Sequence, residues 1–167
     1  RIVIPTVEAR VLDGHPGIAY LNITTFSEQT PQALAAALKE IGTENLRGIV
    51  LDLRNNPGGE LTAAVEVAGY FVPAGPVVYT VSRQKSTPYP ASGRKLDLPL
   101  VVLVNGGTAS AAEIVAGAVK DTGAGLLVGE KTFGKGRVQK VFRLDGGAAL
   151  KLTTEKYLTP ARRDIDG

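Results

Sequence analysis

The chain has 167 residues, enough for one domain with an ordinary hydrophobic core and no need of disulfide or metal staples. Hydrophobic residues make up 44% and charged residues 21%, the mix of a folded soluble domain, which excludes a disordered or fibrous chain. The 19 basic and 16 acidic residues leave a formal charge of +3 without a run of like charges, so nucleic acid is not an expected partner, and zero Cys excludes thiol nucleophiles and thiolate metal sites.

In chain order, Val3 to Asp13 alternates loosely. The turn cluster Asp13-Gly14-His15-Pro16-Gly17 then delivers the chain into a strand over Ile18 to Ile23, which predicts a first hairpin. Thr30-Pro31 has the form of a helix start, and Leu34, Ala37, Leu38 and Ile41 keep one apolar face before Gly42. The strand-then-helix pattern recurs twice. Gly48 to Leu53 leads through a Gly-rich turn into Glu60 to Phe71, and Leu100 to Val104 leads through Gly106-Gly107 into Ala109 to Asp121. Short apolar strands joined by helices need right-handed crossovers, so the expected fold is α/β, a mostly parallel sheet covered by helices.

Ser82 to Lys95, rich in Ser, Pro and basic residues, is expected to be a surface loop. The last third reads as a hairpin, Arg137 to Leu144 and Ala148 to Thr154 about Gly146-Gly147, with a further short strand over Lys156 to Thr159. No apolar stretch approaches the ~20 residues of a membrane span. The chain opens at Arg1 with neither an initiator Met nor a signal-type segment, as expected for a piece of something longer, with residues 1–167 forming a single domain.

Three segments carry chemistry. In Val101 to Ile114, a strand, a glycine turn and a helix starting near Ser110 would hold the serine hydroxyl beside unpaired helix N-terminal amides. There the Ala111 N–H can face a tetrahedral oxyanion, a role worth about 3–4 kcal/mol per donor. The plain alternative is that Thr108 or Ser110 is only an N-cap. Asn55-Asn56-Pro57-Gly58-Gly59 ends the equivalent strand, and Gly58 or Gly59 can bring a second backbone N–H close to a ligand.

The third segment, Gly129 to Gln139, nearly matches a phosphate-binding loop, but Gly136 stands where the hydroxyl belongs and a strand-like run follows, which argues against nucleotide binding. Lys135 remains, between two glycines, as a candidate base or as an ordinary solvated lysine. The sole histidine, His15, sits in the first turn cluster and reads as a solvated loop residue, and one His cannot make a histidine-rich metal site.

Taken together, Gly48-Ile49-Val50-Leu51-Asp52-Leu53-Arg54-Asn55-Asn56-Pro57-Gly58-Gly59, Thr108-Ala109-Ser110-Ala111-Ala112-Glu113-Ile114 and Thr132-Phe133-Gly134-Lys135-Gly136-Arg137-Val138-Gln139 resemble the motifs of the carboxyl-terminal processing, or tail-specific, proteases. The resemblance covers about Thr6 to Ile165. It implies a core similar to the Clp protease and crotonase fold, with Ser110 as nucleophile, Lys135 as base, Gln139 orienting that lysine, and Asp121 at an acidic position sometimes counted with the catalytic set. Asp121 equally suits a structural carboxylate at a helix C-terminus. The resemblance also implies protein or peptide substrates and export to the periplasm, the cell exterior or the thylakoid lumen. The peptide-binding PDZ domain usual in the family is not expected within these residues. Homo-oligomerisation is left open.

The implied reaction is a serine endopeptidase cycle through an acyl-enzyme, with no cofactor. Lys135 would take the Ser110 proton as a neutral amine, which calls for burial to bring its pKa from about 10.4 toward ~7–8. Ala111 N–H with a Gly58 or Gly59 N–H would hold the oxyanion. The rival reading is a non-catalytic ligand-binding module on the same scaffold, as in the retinoid-binding repeats of a photoreceptor matrix protein.

Overall fold

A computed structural model describes residues 5–166, apart from the side chains of Lys140 and Asp145. Val3, where the first alternation was expected to begin, lies outside the described residues. The first hairpin is formed by β1 (Val7–Val11) and β2 (Ile18–Ile23), antiparallel, with Val7 opposite Ile23. Helix α1 (Thr30–Ile41) carries Pro31 in its first turn, where a missing N–H costs nothing, and ends at Gly42, whose φ of 74° only glycine adopts readily.

Then come β3 (Gly48–Asp52), α2 (Leu61–Ala68), β4 (Pro76–Val81), β5 (Ser86–Pro90), β6 (Leu100–Val104), α3 (Ala111–Thr122), β7 (Leu126–Gly129), β8 (Arg137–Arg143) and β9 (Ala149–Leu158). One sheet has the order β1-β2-β3-β6-β7, and all its pairs except β1–β2 are parallel, so the expected mostly parallel α/β sheet is present. Along β2, Ala19, Leu21 and Ile23 are buried while the residues between them are half-buried, the period of a strand with one face on the core. That face shares a single buried cluster with Leu34 of α1, Val67 of α2 and Ile114 of α3.

The other sheet, β5-β4-β9-β8, is antiparallel and joins the same cluster through Val77, Val78 and Tyr157. Four features differ from the sequence expectations. The Ser82–Lys95 stretch is not all loop, because Ser86–Pro90 pairs with β4. Pro88 and Pro90 had argued against a strand, but β5 is the sheet's edge, where a missing N–H removes no ladder bond. Lys156–Thr159 is no separate strand but the continuation of β9, which reaches Leu158 and pairs with β8 on one side and β4 on the other. The second helix stops at Ala68, short of Phe71, with a tight turn in which Phe71 N–H donates to Ala68 O at 2.8 Å. Strands β4 and β7 lie outside the expected elements altogether.

For the site, the decisive pairing is β3 beside β6, parallel, with Ile49 opposite Leu100 and Asp52 opposite Leu103. Adjacent parallel strands in register place the loops at their carboxyl ends side by side. The Gly58-Gly59 and Ser110 segments therefore meet although they lie far apart in sequence.

Candidate functional site

Side-chain amides lace the two loops together. Asn105 Oδ1 accepts the Asn55 N–H at 2.9 Å, and Asn105 Nδ2 donates to Asn55 Oδ1 at 3.0 Å. The buried Thr108 hydroxyl donates to Leu53 O at 2.8 Å, and Ala109 N–H donates to Asn56 O at 2.9 Å. Asn56, fully buried, donates through Nδ2 to Ile23 O at 2.7 Å and accepts the Gly58 N–H on Oδ1 at 2.8 Å. A Cβ at position 58 would lie 2.7 Å from Ala109 O, 2.8 Å from Ala111 N and 2.9 Å from Ser110 Cβ. Only glycine fits there, and its φ of 98° imposes the same choice.

Ser110 is the N-cap of α3 with φ 53° and ψ −117°, a conformation sparsely populated by residues with a Cβ. It occupies the sharp strand-to-helix corner expected of a nucleophile, with the first helical amides alongside. Of the two functions weighed for it, N-cap and nucleophile, Ser110 holds the N-cap position.

Glu113, three positions on, is 4% exposed and was given no role from sequence. Its Oε2 accepts the Ser110 N–H at 2.8 Å and the Lys135 N–H at 2.9 Å, and its Oε1 accepts the Gly134 N–H at 2.6 Å. The local half of this was legible as a Ser-x-x-Glu capping box. The longer half, which brings the Lys135 segment to Ser110, was not. That segment also docks through the Phe133 N–H on Thr108 O at 2.9 Å, and Gly134 takes φ 83° to make the turn.

The apolar enclosure expected around Lys135 is not built by these residues. Lys135 is exposed although Gly136 beside it is buried, and the neighbouring Phe133 side chain is 66% exposed. Gln139 is also exposed, on β8 beside an irregularity in the β8–β9 register. Among the described residues, Lys135 Nζ makes no hydrogen bond to Ser110 or Gln139.

Of the oxyanion candidates, Gly58 N–H is engaged by Asn56, whereas the Ala111 and Gly59 N–H groups have no hydrogen-bond partner among the described residues. Asp121 stands in the last turn of α3, roughly 16 Å along the helix from Ser110. There it accepts the Ala161 N–H at 2.9 Å and lies 3.6 Å from Arg163, a carboxylate that fastens the 159–163 turn to the helix. His15 is exposed in the β1–β2 turn.

A second polar cluster went unremarked in the sequence. Asp52, 2% exposed at the end of β3, accepts Tyr20 OH at 2.6 Å, the Arg54 N–H at 2.9 Å and Arg54 Nη2 at 2.6 Å. Burial pushes its carboxyl up, but the hydrogen bonds from Arg54 and Tyr20 and the Arg54 charge outweigh that and hold it below its ordinary range. The alternation Asp-x-Arg at a strand end was the available signal. Among the described residues no group of three or more His, Cys, Asp or Glu is placed to hold a metal ion.

The sequence profile of peptidase family S41 matches residues 17–167. A carboxyl-terminal-processing protease of Synechocystis sp. is 45% identical over 168 residues, covering 98% of this chain and 39% of its own. Carboxyl-terminal-processing peptidase 2, chloroplastic, of Arabidopsis thaliana is 39% identical over 176 residues, 99% of this chain and 34% of its own. The solved structure of a photosystem II D1 C-terminal processing protease matches with a TM-score of 0.88 at 38% identity, covering 99% of this chain and 46% of that one. The chain thus spans less than half the length of these relatives.

Proposed function

The chain belongs to peptidase family S41, and from that membership we propose that residues 1–167 form the catalytic core of a serine endopeptidase that cleaves protein or peptide substrates near their carboxyl ends. The observation that carries this reading is the Glu113 carboxylate, which ties the backbone of Ser110 at a strained helix N-cap to that of Lys135.

In the proposed cycle, Ser110 Oγ attacks the scissile carbonyl while Lys135 Nζ, as the free amine, takes the hydroxyl proton and returns it to the leaving amine. The oxyanion lies against Ala111 N–H and the Gly58-Gly59 backbone, where the unengaged Gly59 N–H is the readier donor and Gly58 would first have to leave Asn56. Water then hydrolyses the acyl-enzyme. With Lys135 exposed, the dry surroundings that an amine base needs are assigned to bound substrate covering Phe133 and Lys135. In that state Gln139 would accept from the amine through its side-chain oxygen. Asp121 is assigned the holding of the 159–163 turn. No cofactor enters this chemistry. Export, to a bacterial extracytoplasmic space or a plastid compartment, is proposed from the sources of the relatives.

One observation favours the non-catalytic alternative: Lys135 Nζ has no hydrogen bond to Ser110 among the described residues. An active-site acylating probe such as a fluorophosphonate separates the two, with the adduct mapped by mass spectrometry. A stable adduct on Ser110, lost in Lys135→Ala, supports the peptidase. Failure to label Ser110 in folded protein overturns it.

A further inference from the structure

The segment that carries Lys135 is held from two sides. On one side Glu113 accepts the Gly134 and Lys135 N–H groups. On the other runs a strap, residues 159–166, which turns back after β9 and bridges to its end through Leu158 and Asp164. Asp166 Oδ2 accepts Arg137 Nε at 2.7 Å and lies 2.6 Å from Arg137 Nη2, and Asp166 Oδ1 accepts the Gly136 N–H in a longer bond of 3.4 Å. The strap backbone lies directly on Gly136. A Cβ there would stand 2.5 Å from Asp166 N, 3.0 Å from Ile165 C and 3.1 Å from Asp166 Cα. These are backbone atoms, so no side-chain rotation relieves the clash. Gly136, where a phosphate-binding loop would carry a hydroxyl, is thus a glycine because the strap comes so close.

The strap adds little to the core. Of residues 160–166 only Ile165 packs against the buried cluster, and 161–164 and 166 are exposed. Yet it is tied down along its length. Asp121 holds the Ala161 N–H and Arg163, Arg162 lies 3.7 Å over the Tyr79 ring, and Lys156 pairs with Asp164 at 3.0 Å. Exposed ties of this kind contribute little to global stability. What they fix is the place of Asp166 over Gly136.

We propose that Asp166 is a positioning residue for the base: through Gly136 and Arg137 it fixes the far end of the Lys135 segment, as Glu113 fixes the near end. The proposal rests on the reading of Lys135 as base. An exposed lysine has no packing around its side chain to aim it, so the aim of Nζ has to come from the backbone that carries it. With Glu113 alone that backbone could still pivot at Gly136, because a glycine resists rotation least. The Asp166 carboxylate and the strap pressed on Gly136 close that pivot. Asp166 itself touches neither Ser110 nor the Lys135 amine among the described residues, and acts only through its two neighbours.

Labelling of Ser110 by a peptide-linked fluorophosphonate tests it, together with amide hydrogen exchange and thermal melting. In Asp166→Ala the limiting labelling rate at saturating probe should fall about tenfold with the half-saturating concentration unchanged, since binding is left alone and only the base loses its aim. Amides of 132–137 should exchange about tenfold faster, while those of α3 and the melting temperature stay as in wild type. Gly136→Ala keeps both ionic partners but pushes the strap away, and should lower the limiting rate at least as much. A wild-type limiting rate in either variant overturns the proposal, as does unchanged exchange over 132–137 in Asp166→Ala. A slower rate in Asp166→Ala that comes with faster exchange in α3 and a lower melting temperature makes the residue merely structural and equally overturns it. Wild-type protein that is never labelled overturns instead the peptidase reading, and exchange over 132–137 still reports whether Asp166 holds the segment.

Discussion

The backbone amides of Ser110 and Lys135 converge on one atom, Oε2 of Glu113, at 2.8 Å and 2.9 Å. The geometry between proposed nucleophile and proposed base is therefore set by a buried carboxylate that touches neither side chain's reactive end. Glu113→Gln keeps the shape but turns an amide NH2 toward backbone N–H donors, leaving at least one of them unpaired. About 1–3 kcal/mol of stability should be lost, and Ser110 acylation should slow by about 10²-fold. Urea unfolding and probe-labelling rates read the two effects, and labelling at the wild-type rate would remove the positioning role.

Ser110 holds φ 53° and ψ −117° despite its Cβ, a conformation that costs of order 1–3 kcal/mol. Ser110→Gly should therefore raise the melting temperature while abolishing acylation. Ser110→Ala should lose peptidase activity by roughly 10⁴-fold or more with the fold unchanged. A Gly variant that melts below the Ala variant would show that the corner is not strained.

Gly58→Ala places a methyl group within 2.9 Å of Ala109 O, Ala111 N and Ser110 Cβ, against atoms held by Asn56 and by the start of α3. The backbone must move, at a cost of about 2–4 kcal/mol, and the Ala111 N–H moves with it. Both thermal stability and acylation should fall. A variant with normal melting and normal labelling would mean that the 56–59 loop yields freely.

Lys135→Arg should be nearly as inactive as Ser110→Ala, because a guanidinium does not give up its proton in a protein and so cannot serve as base. His15→Ala should leave peptidase activity and its pH dependence unchanged, since His15 lies exposed in the β1–β2 turn. Activity surviving Lys135→Arg but lost in His15→Ala would reverse the assignment.

The carboxyl of Asp52 lies below its ordinary 3.8 in the folded protein, where burial is outweighed by Arg54 and Tyr20. The unfolded chain thus binds that proton more readily, so the cluster's contribution is complete above about pH 4 and is lost as pH falls from there through the folded value. Urea unfolding at several values from about pH 5 down to about pH 2 should show stability declining with acid. In Asp52→Asn stability should start lower and decline less. An equal slope in the two proteins would assign the acid sensitivity to other groups, such as Asp164 beside Lys156.

Local rules reach a definite distance into this molecule. The strand, glycine turn and helix around Ser110 were legible because each is decided by residues within a few positions: the apolar run to Val104, Gly106-Gly107, and a Ser with Glu three places on. So were α1, from Pro31 to Gly42, and the β8–β9 turn at Gly146-Gly147. Tertiary structure decided what depends on neighbours distant in the chain. Pro88 and Pro90 could enter a strand only because β5 falls at an edge, and Lys156–Thr159 belongs to β9 because β4 pairs with it there. Glu113 gained its second function when Gly134 and Lys135 folded onto it, and Lys135 stayed exposed because a segment between two glycines brings no apolar cover of its own. Hydrogen-bond caps and turn conformations are short-range and so are written in local sequence, whereas burial and convergence are sums over the whole packed chain.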